Sequence, residues 1–345
     1  MRLRVVDIVR ETPTAKTFRL ERSDGELPPF RPGQYINVFV DVDGVLTSRP
    51  YSIASPPLLP AENKCAVLEL TVRDNPGGFV APYLLHEVQV GDEIETTGPT
   101  GGFYHEPLID GHDLVFLAGG SGITPFRSII LDNIRRECPL GIHLLYGSRA
   151  PDDVIYGDEL AELANDHASL CYALVISEPP LGYVGDSRAG FLDAKLVRDE
   201  VGSVEGKTFY ICGPNVMVDF VLAELEELRV PPHKIRREFY GAPADVTKEP
   251  GWPRGLPAGT VFNVEVAGKR TVRAPAGEPL LNSLERYGLL VPAVCRSGAC
   301  SACRLRLVSG RVYMPSDTGL RESDRRHGYI HACVSYPLED LRIRL

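Results

Sequence analysis

Up to about Pro107, apolar and polar positions alternate in short runs, Val5–Val9, Tyr35–Val40, Val67–Val72 and Glu93–Thr97, separated by Pro-Gly, Asp-Gly and Gly-Gly turns. Period-two alternation cut by turn residues predicts strands of an antiparallel barrel or sandwich. From Asp113 the texture changes. Apolar runs at Leu114–Ala118, Ile142–Tyr146 and Phe209–Cys212 alternate with helical patterns at Pro125–Glu137, Gly157–Asn165 and Asn215–Leu228. Strand and helix in alternation predict an α/β domain with a parallel sheet. A last stretch alternates at Val261, Val264, Val266 and Val272, carries one helical pattern at Pro279–Tyr287 and closes on Leu341–Leu345, the outline of a small α+β domain. Between Gly241 and Gly259 stand four Pro and four Gly without apolar periodicity, which reads as a proline-stiffened linker.

A chain of 345 residues suggests two or three domains at roughly 100–200 residues each. The pattern resolves them as 1–107, 108–240, the linker 241–258, and 259–345. A composition of 43% hydrophobic and 24% charged residues is ordinary for a globular protein. No apolar run approaches the length of a membrane span, and Met1–Val6 enters a strand pattern without a leader, so membrane insertion is not expected and a cytoplasmic location is. The net charge of −9 argues against nonspecific nucleic-acid binding. The charge is divided, however: residues 259–345 hold 13 Lys+Arg against 8 Asp+Glu, whereas the first 258 hold 24 against 38.

Eight cysteines are too few for a disulfide scaffold, but four crowd near the C-terminus as Cys295-x4-Cys300-x2-Cys303-x29-Cys333. Paired C-x2-C ligands would suit zinc; C-x4-C-x2-C…C is the plant-type [2Fe–2S] spacing. Arg296–Ala299, Ser301 and Ala302 are mostly small, so the loop can wrap closely and aim N–H groups at sulfur. The plain alternative is four buried thiols. Cys65, Cys138 and Cys171 are scattered and read as buried small hydrophobes. The run Val294–Cys303 closely resembles the cluster loop of plant-type ferredoxins, which implies a β-grasp fold for the C-terminal domain.

Asp113–Ala118 leads into Gly119-Gly120-Ser121-Gly122-Ile123-Thr124-Pro125, a strand, glycine turn and helix start that can offer backbone N–H groups to phosphate. Ser148 and Arg149 end the second strand, where polar side chains could meet a ribose, and Cys212-Gly213-Pro214 ends a later one at the same sheet edge. These segments resemble the A-G-G-x-G-I-T-P and C-G-P signatures of the ferredoxin-NADP reductase superfamily. The resemblance implies Cys212 beside the nicotinamide. Arg149 suits a 2′-phosphate, but Asp152 and Asp153 oppose one, so NADH is expected, with NADPH the alternative.

Arg49-Pro50-Tyr51-Ser52 sets a cation, an aromatic and a hydroxyl on one extended segment, with Arg49 and Tyr51 on one face and Ser52 on the other; a surface strand would read the same way. In this context it resembles the R-x-Y-S flavin signature of that superfamily, which implies Arg49 on the phosphate, Tyr51 on the isoalloxazine and Ser52 near its reactive nitrogen. Gly77-Gly78 resembles the second phosphate segment, although Ala81 stands where the family has a hydroxyl. Gly98–Phe103 resembles the G-P-x-G-x-F turn of FAD-type members, which favours FAD; phthalate dioxygenase reductase-like proteins, with the same domain order, keep FMN as the alternative.

The domain order resembles phthalate dioxygenase reductase-like and phenylacetyl-CoA epoxidase reductase-like proteins. It implies an oxidoreductase that receives hydride from NAD(P)H, divides it into single electrons at a flavin and sends them through the cluster to an oxygenase or other redox protein. A redox sensor and a reductase for a non-oxygenase acceptor are the alternatives. The cluster would contribute about −2 and leave the C-terminal domain near +3. Arg304, Arg306 and Arg311 are then expected to dock it on acidic surfaces, the chain's own and an acceptor's.

Overall fold

A computed structural model describes residues 1–58, 67–75, 78–239, 241–243, 245–315 and 318–345. The alternating segments of the first domain form β1 (Arg2–Thr12), β2 (Ala15–Arg22), β3 (Tyr35–Val42), β4 (Val45–Ser52), β5 (Val67–Arg73) and β6 (Glu93–Thr100), with α1 (Val80–His86) after β5. The antiparallel sheet runs β4-β3-β6-β1-β2-β5, and a bridge from Ile53, just past β4, to Leu70 on β5 joins the two ends into a barrel. Its inward set, Leu3, Val5, Phe18, Leu20, Ile36, Leu68 and Leu70, is buried, as period-two patterning requires.

The short α2 (Pro107–Asp110) leads into the second domain: β7 (Asp113–Gly119), α3 (Thr124–Arg135), β8 (Gly141–Ser148), α4 (Gly157–Asp166), β9 (Leu170–Ile176), β10 (Arg188–Ala189), α5 (Ala194–Val201), β11 (Thr208–Gly213), α6 (Asn215–Glu227) and β12 (Ile235–Phe239). All its strands are parallel, in the order β10-β9-β8-β7-β11-β12. The order reverses between β7 and β11, so the switch point where open α/β sheets bind ligands falls between their carboxyl ends. α3 takes Pro125 in its first turn and buries Phe126, Ile129 and Ile130 at helical spacing. Phe126 stacks on Phe116 at 4.6 Å, while Phe103 meets Tyr210 edge-on at 5.3 Å. The aromatic of the Gly98–Phe103 turn is thereby packed against the parallel sheet.

Polar contacts complete this packing. Asp110, 1% exposed, accepts from Tyr210 Oη at 2.7 Å, the Glu106 amide at 2.8 Å and Arg236 Nη2 at 2.9 Å. Burial alone would raise its pKa, but these donors outweigh that effect and hold it below the ordinary value. Its stabilisation is therefore present above the unfolded-state pKa and is lost as pH falls through the depressed folded value. Asp110→Ala should lower stability by about 3 kcal/mol, since Tyr210 and the amide lose a buried acceptor. A urea midpoint unchanged from wild type would contradict this.

The third domain comprises β13 (Val261–Val266), β14 (Thr271–Pro275), α7 (Leu280–Arg286), β15 (Arg304–Ser309), β16 (Val312–Tyr313), α8 (Glu322–Arg326), β17 (Tyr329–His331), β18 (Tyr336–Pro337) and β19 (Leu341–Arg344). Its five-stranded mixed sheet, β14-β13-β19-β15-β17, carries α7 over a core of Val264, Val272, Leu281, Leu284, Leu305 and Ile343. Within segment 241–258, Val246 is buried with Tyr313 and Tyr336, and the Trp252 ring lies 5.4 Å from that of Tyr313. Tyr313 Oη donates to the Pro250 carbonyl at 3.0 Å. The chain divides into two compact units: Met1–Val38 with Tyr51–Phe239, and Phe39–Pro50 with Tyr240–Leu345. The tip of the β3–β4 hairpin thus belongs with the third domain. Among the described residues no helix is long and apolar enough to cross a membrane.

Candidate functional site

At the switch point, the turn after β7 packs directly on the end of β11. A Cβ on Gly122 would stand 2.1 Å from the Cys212 carbonyl oxygen, and one on Gly213 would stand 3.2 Å from Gly119 Cα. Only glycines allow this approach. Thr124, buried at the start of α3, donates from Oγ1 to the Ser121 carbonyl at 3.0 Å, and Pro125 fills the first turn. The segment Gly119–Pro125, Gly120 included, stands at the carboxyl end of β7 beside the switch point, a position that suits a dinucleotide's phosphates. Tyr146, fully buried, donates to the Gly120 carbonyl at 3.0 Å and accepts from the Ile155 amide at 3.2 Å. It pins the glycine turn from β8, a role no motif announced.

The polar residues after β8 divide. Ser148 is buried, and its Oγ lies 3.0 Å from the Asp153 carbonyl, so its hydroxyl holds the loop's own backbone. Arg149 is exposed and lies 3.8 Å from Glu178. Asp153 turns inward, where it accepts from Thr12, Thr14 and Arg73. Of the two acids expected to oppose a 2′-phosphate, only Asp152 is exposed.

Cys212 is fully buried on β11, and the parallel register sets it beside Ala118 on β7 and Glu238 on β12. Ser52, buried at the end of β4, donates from Oγ to Glu238 Oε2 at 3.5 Å. Residues 52, 212 and 238 thus adjoin although the sequence separates them widely. Burial pushes the Glu238 carboxyl up to about 8, against a smaller opposite effect of the Ser52 hydrogen bond. Glu238 carries no local signal in the sequence, because it sits in Arg236-Arg237-Glu238-Phe239 without a motif of its own.

Arg49, Pro50 and Tyr51 precede Ser52 on β4 and are partly buried, which leaves Ser52 on the inward face as alternation requires. Arg49 Nη1 donates to Thr47 Oγ1 and to the Ser48 carbonyl, each at 2.8 Å. On β3, next to β4 in the sheet, Asn37 is buried with both side-chain amide atoms unpartnered among the described residues, a group that suits a polar ligand or an ordered water. The Gly78 amide donates to Asn75 at 2.6 Å just before α1; Gly77 lies outside the described residues.

The four C-terminal thiols meet as pairs. Cys295 lies within interaction range of Cys300 and Cys333, and Cys303 within that of Cys333. These contacts hold Cys295 and Cys303 below the ordinary thiol pKa and push Cys300 and Cys333 above it. Among the described residues no three His, Cys, Asp or Glu side chains converge on one metal position, whereas two thiols for each of two irons is the donor set of a [2Fe–2S] cluster. The Cys300 amide lies 3.3 Å from Cys295 Sγ, the kind of N–H···S contact such clusters use. The residues fit the cluster.

One expectation is corrected. Cys171 is exposed and Cys138 partly exposed, because Cys171 lies on an outward position of β9 and Cys138 follows the end of α3; Cys65 lies outside the described residues. The charge of Arg304 is matched within its own domain by Asp324 at 2.9 Å, and that of Arg311 by Glu339 at 2.9 Å. Of the three arginines expected to dock, only Arg306 has no carboxylate partner among the described residues, because its neighbour across the β15–β19 pairing is Arg344.

Three family models match successive stretches of the chain. The oxidoreductase FAD-binding domain family model matches residues 3–105, the oxidoreductase NAD-binding domain model 116–223 and the 2Fe-2S iron-sulfur cluster binding domain model 264–338. The chain is 30% identical over 354 residues to the ferredoxin reductase component of 3-ketosteroid-9-alpha-monooxygenase from Mycobacterium tuberculosis, covering 99% of this chain and 94% of that protein. It is 25% identical over 350 residues to the glycine betaine monooxygenase reductase subunit of Pseudomonas aeruginosa, again covering 99% and 94%. Its fold is similar to that of phthalate dioxygenase reductase, with a TM-score of 0.72 at 23% identity over 100% of this chain and 98% of that one. The chain therefore belongs to the ferredoxin-NADP reductase superfamily, among the NAD(P)H oxidoreductases that carry FAD-binding, NAD-binding and C-terminal plant-type [2Fe–2S] domains in one polypeptide.

Proposed function

We propose that this chain is the cytoplasmic reductase component of an oxygenase system, with flavin-binding residues 1–107, nucleotide-binding residues 108–240, linker 241–258 and cluster-binding residues 259–345. NADH is the expected donor and NADPH the alternative; FAD is the expected flavin and FMN the alternative. When bound, the three groups supply the redox chemistry: the nicotinamide releases two electrons and a proton as hydride, the flavin takes them up and returns them singly, and the cluster carries one at a time.

The chain's residues orient these groups. Gly119, Gly120, Gly122, Thr124 and Pro125 hold the dinucleotide phosphates, Ser148 shapes the ribose loop and Arg149 faces the ribose. Arg49, Pro50, Tyr51, Ser52, Gly77 and Gly78 hold the flavin. Cys212, Gly213 and Pro214 position the nicotinamide. Cys295, Cys300, Cys303 and Cys333 are the cluster's ligands. The observation that carries the reading is the meeting of Ser52, from the flavin motif, with Glu238, the strand neighbour of Cys212 from the nicotinamide motif. Two motifs that must exchange hydride adjoin.

Anaerobic titration with NADH, and separately NADPH, followed by visible absorbance tests the whole chain of transfer. Bleaching of a flavin band together with loss of the cluster's charge-transfer bands is expected. A purified protein with neither chromophore would end the proposal, and bleaching without turnover on cytochrome c would point to a sensor.

Glu238 adds a pH signature. With its folded pKa raised to about 8 from an ordinary 4.5, it keeps its proton at neutral pH. Between those values the folded state binds more protons than the unfolded, so this residue's contribution to stability declines as pH rises and levels off above about 8. Ionisation also sets a negative charge against the Ser52 hydroxyl. Flavin reduction by NADH should fall with an apparent pKa near 8 in the wild type and lose that limb in Glu238→Gln. A wild-type rate that stays level through this range would contradict the assignment.

A further inference from the structure

Thr47, one turn of side-chain alternation before Arg49 on β4, has a hydroxyl whose full hydrogen-bonding capacity is used. A hydroxyl offers one donor and two lone pairs. Thr47 Oγ1 donates to Glu285 Oε2 at 2.9 Å, accepts from Arg296 Nη2 at 2.8 Å and accepts from Arg49 Nη1 at 2.8 Å. Thr47, Glu285 and Arg296 are only 4%, 7% and 6% exposed. Arg296 directly follows the cluster ligand Cys295, in a left-handed conformation at φ 55°, and its guanidinium pairs with Glu285 of α7 and lies 3.3 Å from Asn282 Oδ1. Beside this node, Ser48 Oγ donates to the Ala293 carbonyl at 3.4 Å, two residues before Cys295.

The Arg296–Glu285 pair alone would brace the cluster loop within the third domain. Thr47 is different in kind, because it comes from the hairpin that carries the flavin motif and is shared between that motif's arginine and the cluster loop. A charged pair taken out of water depends on hydrogen bonds to its remaining donors and acceptors, and Thr47 supplies one to each partner, while Arg296 Nε has none among the described residues. We propose that Thr47 is a positioning residue that fixes the cluster loop to the hairpin bearing Arg49 through Glu285 and Arg296, and that this held contact supports electron transfer from flavin to cluster. This rests on the reductase reading only for the electron step; the held contact stands on the hydrogen bonds.

Thr47→Val keeps the shape and removes the hydroxyl, leaving the Arg296–Glu285 pair in place, and Thr47→Ser restores the hydroxyl. In the full-length holoprotein, amide exchange of peptides spanning 43–50 and 291–299 should accelerate at least tenfold in Thr47→Val and return toward wild type in Thr47→Ser. In single-turnover reduction by NADH, the ratio of cluster reduction to flavin reduction should fall at least tenfold in Thr47→Val and recover in Thr47→Ser. Ser48→Ala, which removes the neighbouring link without touching the ion pair, should shift both readouts in the same direction by less. Unchanged exchange in Thr47→Val would overturn the proposal, as would an unchanged ratio. If the wild-type flavin were not reduced by NADH at all, the reductase reading would fail, while the exchange measurement would still decide the contact.

Discussion

Serine at Cys303 or Cys333 is expected to abolish electron delivery to one-electron protein acceptors while leaving flavin reduction by NADH in place. Both thiols are buried, linked to each other, and form one of the two pairs that the chain provides for two irons. A serine hydroxyl ionises far less readily than a thiol and is a harder ligand, so the cluster loses one of its four anchoring thiolates. Removal of an outer-shell partner of a metal ligand typically costs roughly 10–100-fold, so removal of the ligand itself should cost at least about 100-fold in cytochrome c reduction. Ferricyanide, which takes electrons from the flavin, should retain a substantial rate. The cluster's visible bands and the paramagnetic signal of its reduced form should vanish together with cytochrome c reduction. Because metal binding and folding are linked, the variant should also unfold at lower denaturant, with the loss confined to the unit Phe39–Pro50 with Tyr240–Leu345. Cys171→Ser, at an exposed position on β9, serves as the control and should change none of these. A Cys303→Ser protein with full cytochrome c activity would remove Cys303 from the ligand set.

What the residues disclosed in advance depended on how local the signal was. The cysteine spacing, the strand–glycine turn–helix of Asp113–Pro125 and the alternation of the barrel strands are each written within a few residues, and each led to the right architecture. β2, β9 and β12 carry weaker signals, because their apolar residues are mixed with charge, as in Ala15–Arg22, or their runs lack punctuating turns. Glu238 became visible only through strand register, since parallel pairing of β11 with β12 cannot be read from either segment alone. Arg127 is hidden for the same reason: on α3 it looks like a solvated helix cation, yet it donates to Glu69 at 2.6 Å, to the Ala54 carbonyl at 3.0 Å and to Glu159 of α4 at 2.6 Å, joining the barrel to α3 and α4. Net charge carries no information about pairing, so the ion pairs of Arg304 with Asp324 and of Arg311 with Glu339 could not be read from it. Thr47 carried no signal at all, being one hydroxyl in a strand, and its meaning comes from residues more than 200 positions away.

Alanine at Gly122 should be the most damaging single methyl in the nucleotide crevice. The added Cβ would lie 2.1 Å from the Cys212 carbonyl oxygen, 2.5 Å from its carbon and 2.7 Å from the Gly213 nitrogen. All three are backbone atoms in the interior of a parallel sheet, so no side chain can rotate away, and the turn after β7 and the end of β11 must move apart. Overpacking of this kind costs roughly 1–3 kcal/mol in stability. The functional loss should be larger, because the same displacement separates the turn proposed to hold the phosphates from Cys212. A misplacement of about 1 Å at a reacting pair can cost on the order of 100-fold in rate. Flavin reduction by NADH in Gly122→Ala should therefore fall about 100-fold or more, with KM raised, while the bound flavin's oxidised spectrum and the cluster's bands persist. Gly147→Ala is the matched comparison: it lies at the carboxyl end of the adjacent β8, and its Cβ would meet Leu192 at an ordinary 3.6 Å. It should reduce flavin within about threefold of wild type, since nothing has to give. Equal losses in the two variants would mean that the crevice tolerates no change at any edge position, and the special closeness of Gly122 to Cys212 would not be what binds the nucleotide. A loss confined to Gly122→Ala ties nucleotide binding to the contact between the two strand ends, where the reversal in sheet order opens the crevice.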